Sequence, residues 1–234
     1  MNERIFHPDV KLSDLLNRNP ELVLLLSRWD IPLGFGERTV AEVCRTAGTS
    51  PEFFLMVCRI YTDKTYLPDD KTLSEVELDS LIRYLRASHI YYLEDRIPHI
   101  GQHLQHIIEQ CTLVNRRLME GFFEEYRREV EEHFRYEEET VFPYIRNLME
   151  GMPDSAYRIR DFQKNHSNIE DKLFDLRNIL VKYLPPALSP KERVSITMDT
   201  YRLSEDVERH SMIEEKVMVP YVMLLEKKYY GKNK

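Results

Sequence analysis

The residues of this 234-residue chain best suited to chemistry occur twice. His133, Glu137, Glu138, Pro143 and Tyr144 recur at identical offsets as His210, Glu214, Glu215, Pro220 and Tyr221. On a helix, positions i and i+4 are neighbours. Each His-x-x-x-Glu pair therefore aims an imidazole nitrogen and a carboxylate oxygen at one point. A looser partner precedes each copy, since His89 stands 44 residues before His133 and His166 stands 44 residues before His210. A single such pair on an amphipathic helix is ordinarily a solvated contact worth a few tenths of a kcal/mol. The duplication at matched spacing points to metal ligation instead.

The spacing also specifies what must position these groups. At ~1.5 Å per residue, a chain that climbs about 21 residues, turns and descends as many returns to its starting level. His89 and His133 then sit level on adjacent antiparallel helices, and His166 and His210 do the same on a second hairpin. Such a bundle places four histidines and two glutamates in its interior, where helical bundles build metal sites. Two ions bridged by Glu137 and Glu214 would each receive two imidazoles, leaving positions for water, an oxo group, O2 or NO. Imidazole and carboxylate ligands suit iron, with manganese and zinc left open.

Helix punctuation agrees with this plan. Turn residues from Thr65 to Leu73 read as a linker. Ser74 and Glu77 form a Ser-x-x-Glu capping box, with Leu73 and Leu78 as its hydrophobic staple. Breaks at 109–113, 151–155 and 184–190 then leave four long helices, over about 75–109, 113–149, 155–183 and 190–229. Before the linker, short helices are expected over Lys11 to Asn17, Pro20 to Trp29, Thr39 to Thr46 and Pro51 to Tyr61. The expected organisation is all-α: a small N-terminal helical domain over 1–64, a linker over 65–73, and an up-down-up-down four-helix bundle over 74–230.

Composition narrows the function classes. A formal charge of -7 disfavours general nucleic-acid or anionic-membrane binding. No apolar run approaches the ~18 residues of a membrane span, and residues 1–8 do not read as a signal peptide. A cytoplasmic location is expected. Cys44, Cys58 and Cys111 are odd in number and lack Cys-x-x-Cys spacing, so they read as reduced, packed thiols. The segment Val40 to Tyr61 has the outline of a helix-turn-helix, yet residues 1–64 hold eight Lys or Arg against nine Asp or Glu. It is expected to be a packing or protein-contact face rather than a base-reading one.

The His and Glu pattern resembles the hemerythrin-like (HHE) domain of the repair-of-iron-centres family. In that family a His on each bundle helix and a His-x-x-x-Glu-Glu on the second and fourth helices bind two non-haem irons, oxo- or hydroxo-bridged when oxidised. The resemblance implies His89, His133, Glu137, His166, His210 and Glu214 as the ligands. It extends to the N-terminal segment, where Trp29 and Asp30 precede a glycine turn and Thr39, Val40 and Ala41 follow it. Two departures stand out. The family's Cys-Cys-Gly-Gly element is replaced by Leu33, Gly34, Phe35 and Gly36, and Phe162 and Glu170 flank His166 where oxygen carriers place a further His.

The resemblance implies a role in nitrosative or oxidative stress through iron-centre repair, iron donation or NO/O2 handling. Two rivals are a diatomic-gas or redox sensor signalling to a protein partner through the N-terminal domain, and an NO or peroxide reductase. Glu138, five positions from His133, is expected to be dispensable. Glu170 reads as a surface carboxylate, and Tyr92 and Tyr136 either flank the metals or pack the bundle. Pro98 is expected to kink the first long helix. His99, His103 and His106 lie at helical spacing but too far along the helix to join the His89 site.

Overall fold

The computed structural model describes residues 5–152, 156–165, 169–185 and 187–231. Among them the secondary structure is helical, with one isolated bridge between Lys11 and Thr39 and no strand. Contacts divide the chain into two units.

The first unit comprises residues 1–88, 148–160 and 209–234. It opens with α1 (Leu12–Arg18), then a 3-10 turn (Pro20–Leu22), α2 (Val23–Leu26) and a second 3-10 turn (Ser27–Trp29). α3 (Val40–Ala47) starts at a reciprocal cap between Thr39 and Glu42 and ends at Gly48, whose φ of 64° supplies the left-handed C-cap. α4 (Pro51–Thr62) starts at Ser50, whose hydroxyl accepts from the Phe53 amide at 3.1 Å. Nearly all of α4 is buried, including Phe53, Phe54, Met56 and Tyr61. That burial makes it a packing element, as its composition implied.

The core of this unit is aromatic. Trp29 packs on Phe54 and Tyr84 with ring centroids 4.9 and 4.6 Å away. Beside them Arg28, only 2% exposed, donates to the hydroxyls of Tyr61 and Tyr84. A buried guanidinium is tolerable only when such acceptors and ring faces replace its water.

The expected capping box at Ser74 does not form. Asp69 accepts from the Thr72 amide at 2.8 Å and starts a short helix, α5 (Asp70–Ser74), inside the expected linker. Ser74 thereby falls inside a helical turn, and its hydroxyl donates back to the Lys71 carbonyl at 2.7 Å. The long helix α6 (Leu78–Ile90) accordingly begins later than expected.

The second unit comprises residues 89–147 and 161–208. It contains α7 (Ile97–Ile108), all of α8 (Leu113–Tyr136), most of α9 (Phe142–Met149), α10 (Ile159–Asn165) from Asp161 onward, α11 (Ile169–Tyr183) and most of α12 (Pro190–Ile213). α7, α8, α11 and α12 share one apolar core that includes Ile100, Leu104, Tyr126, Phe134, Leu173, Leu176 and Leu203. Gly101 lets α7 and α8 approach closely, because a Cβ there would meet the Phe123 ring at 2.9 Å. The last helix, α13 (Val219–Tyr230), belongs to the first unit. Together these form a helical bundle with extra N-terminal helices, and no described helix is long and apolar enough to cross a membrane.

Cys44 and Cys58 are wholly buried, whereas Cys111 is partly exposed. Burial pushes the Cys44 thiol up to about 12 and the Cys58 thiol well above its ordinary value. The thiolate is the reactive form. A disulfide-exchange reagent at mildly alkaline pH should therefore label Cys111 alone in the native protein and all three thiols in denaturant. Rapid native labelling of Cys44 or Cys58 would contradict this packing.

Candidate metal centre

Three turns of π-helix interrupt the long helices, at Tyr91–Arg96, Glu137–Val141 and Glu214–Met218. Each ends two residues before a proline: Pro98, Pro143 and Pro220. Proline offers no amide hydrogen and its ring collides with the carbonyl four residues back. Widening the preceding turn by one residue absorbs that conflict without breaking the helix. The π-turns begin at Glu137 and Glu214 and, in the first case, two residues past His89. Sequence reading anticipated a kink at Pro98. It missed the widened turn, although the shared Glu-to-Pro spacing was its signal.

In the second unit, Glu137 is fully buried and bridges two histidines. Its Oε2 lies 3.0 Å from His89 Nε2, and its Oε1 lies 3.0 Å from His133 Nε2. His89 is 3% exposed and sandwiched by aromatic rings, with Phe134 stacked at 4.1 Å between centroids and Phe142 at 5.7 Å. These rings fix the imidazole plane and keep water from its faces. Tyr92 donates its hydroxyl to the Asp206 carbonyl at 3.1 Å and stacks on Phe134, which makes it a packing residue.

The other half of the repeat is built alike. In the first unit, His210 Nε2 lies 2.9 Å from Glu214 Oε1, and neither residue has any exposed surface. His89 and Glu137 in the second unit, and His210 and Glu214 in the first, are all buried, and each offers one ligand atom. His133 shares Glu137 with His89. His166 lies outside the described residues, and the Glu170 side chain is likewise not described.

One contact was not expected. Glu138 Oε1 sits 3.1 Å from His89 Nδ1, the ring nitrogen opposite the one that faces Glu137. Off the His133 face of its own helix, Glu138 reaches the neighbouring histidine instead. A carboxylate on the far nitrogen fixes both the tautomer and the tilt of a ligating imidazole. The i+4 rule considers only contacts along one helix and could not find it. Glu138→Ala is expected to weaken metal binding by about 10- to 100-fold, measured by competition with a chelator of known affinity. Unchanged affinity would show that His89 is oriented by its aromatic neighbours alone.

Two comparisons find no relative: neither a curated protein nor a solved structure matches the chain. A family match covers residues 80–222, more than half of the sequence, and includes every His and Glu of the duplicated pattern. The match is to the hemerythrin HHE cation-binding domain, and the buried imidazoles and carboxylates of His89, His133 and Glu137 and of His210 and Glu214 are donors that suit a cation. This chain belongs to the hemerythrin HHE cation-binding domain family.

Proposed function

We propose that the protein holds two non-haem iron ions between His89, His133, Glu137, His210 and Glu214, with His166 completing the set. We further propose that it serves in the response to nitrosative or oxidative stress, by exchanging iron or by handling O2 or NO. The observation that carries this reading is the wholly buried Glu137, with one oxygen 3.0 Å from each of two imidazole nitrogens, and its repeat in the buried pair His210 and Glu214 at 2.9 Å. Such nitrogen and oxygen donors suit iron, and these residues offer no sulfur that would favour softer ions.

Each residue has a defined task. Glu137 has one oxygen toward each of two histidines, so a metal on either side would keep it as a shared ligand. Glu214 has the same i+4 relation to His210. Glu138 holds the far side of His89, while Phe134 and Phe142 exclude water from its faces. Iron held by these residues would supply positive charge to offset the buried carboxylates and could bind small diatomic ligands.

A second reading, a sensor that reports the metal state through the N-terminal helices, has its own support. Arg209 immediately precedes His210 in the chain, and its guanidinium lies 5.4 Å from the Tyr61 ring centroid. Tyr61 belongs to α4 and also accepts from Arg28. A shift of His210 on metal loss would therefore be felt in α4.

Anaerobic reconstitution should give about two irons per chain, as bundle carboxylate sites do. Glu137→Ala and Glu214→Ala should each release both ions together. Metal analysis returning one zinc and no iron would overturn the di-iron reading. Because iron binds only the folded state, about 100-fold excess over its dissociation constant should add ~2.7 kcal/mol. At ~2–4 °C per kcal/mol, the apo protein should melt roughly 5–10 °C below the holo protein in calorimetry. For the sensor reading, amide exchange across residues 51–62 should slow on iron binding. Identical exchange in both forms would remove it.

A further inference from the structure

A second cluster of metal-ligating side chains lies wholly within the second unit. His99 and His103 are one turn apart on α7, and both face a single oxygen of Asp199 on α12. Asp199 Oδ2 is 3.7 Å from His99 Nε2 and 3.8 Å from His103 Nδ1. Its other oxygen, Oδ1, is 3.9 Å from the Arg96 guanidinium. None of these separations is a hydrogen bond, for which donor and acceptor stand about 2.7–3.2 Å apart. The two histidine distances to Oδ2 approach the spacing of ligands around one ion, because zinc bonds of ~2.0–2.2 Å in a tetrahedron put ligand atoms about 3.4 Å from each other, while the two imidazole rings stand farther apart.

We infer that His99, His103 and Asp199 form a second divalent-cation site, of the zinc class, clasping α7 to α12. The carboxylate is mostly enclosed, with 17% side-chain exposure, while His99 is 52% exposed. The site is thus anchored on one side and open on the other, so an ion can enter and water can complete its shell. The two rings stand 6.5 Å apart at 65°, and a small rotation of the exposed His99 ring brings its nitrogen in. Two neutral imidazoles and one carboxylate suit Zn2+ better than the hard cations Mg2+ or Ca2+. Arg96 neutralises only the far oxygen, leaving Oδ2 to the ion.

The site is separate from the buried group, because His99 lies ten residues beyond His89, about 15 Å along the helix. His106, the next histidine on α7, does not belong to it. Its carboxylate neighbour is Glu192, 3.6 Å away, rather than Asp199.

The test is a Zn2+ titration of the full, chelator-stripped chain, followed by the ring resonances of its histidines assigned through single substitutions. The ring signals resolve this site from the buried one, so the result stands whether or not the di-iron reading does. His99 and His103 should shift together. Asp199→Asn and His103→Ala should each weaken that transition by about tenfold or more, and His106→Ala should leave it unchanged. The positions are surface or partly enclosed, and circular dichroism checks that each variant folds. Three outcomes would overturn the site: unmoved His99 and His103 signals at millimolar Zn2+, unchanged affinity in Asp199→Asn, or equal shifts at His106 and the exposed His7.

Discussion

Burying a carboxylate is the constraint around which the protein is organised. Glu137 and Glu214 have no exposed surface, and an isolated carboxylate in such a place would give up its charge or open the structure to water. Imidazoles within 3.0 Å of each are the protein's own answer. Much else follows from keeping those imidazoles still. His89 is stacked on two phenylalanines and held from behind by Glu138. Tyr92 fills the space beside Phe134 with its own hydroxyl satisfied by a main-chain carbonyl. The apolar core supplies cohesion, and the prolines that follow the buried polar residues set where the helices stop being regular.

The departures from regularity are local and repeated. A proline inside a long helix disturbs its regularity, and each of the three here is preceded by a widened turn after which the α-helix resumes. One extra residue per wide turn rotates everything downstream relative to everything upstream. The helix can therefore present His133 and Glu137 to the site and still bury Val141, Phe142 and Ile145 beyond it. Strict 3.6-residue periodicity would have to choose between the two.

How much of this could be read from sequence follows from which interactions are local. The helix ends after the linker, the all-α class and the paired His and Glu positions were legible, because periodicity, proline breaks and i+4 spacing are properties of neighbouring residues. The start of α6 was misplaced because two capping candidates, Asp69 and Ser74, compete within a few residues, and packing decides between them. The Glu138 contact was invisible because it joins residues 49 positions apart. Arg28 gave no signal at all: an arginine among leucines and a tryptophan looks like a solvated residue until Tyr61 and Tyr84 arrive from distant segments to accept from it.

The aromatic packing around Trp29 bears on how such a chain can change over evolutionary time. Tyr84 belongs to α6, whose sequence extends directly to His89, yet its ring is covered by Trp29 and Phe53 from the N-terminal helices. Lineages that lost the leading segment would inherit a helix with a bare aromatic face, prone to self-association. Shuffling that segment onto another bundle would likewise require a matching tyrosine and a buried home for Arg28. The leading helices and the face they cover are thus heritable as a pair, and substitutions at Trp29, Phe53 and Tyr84 should be found to covary.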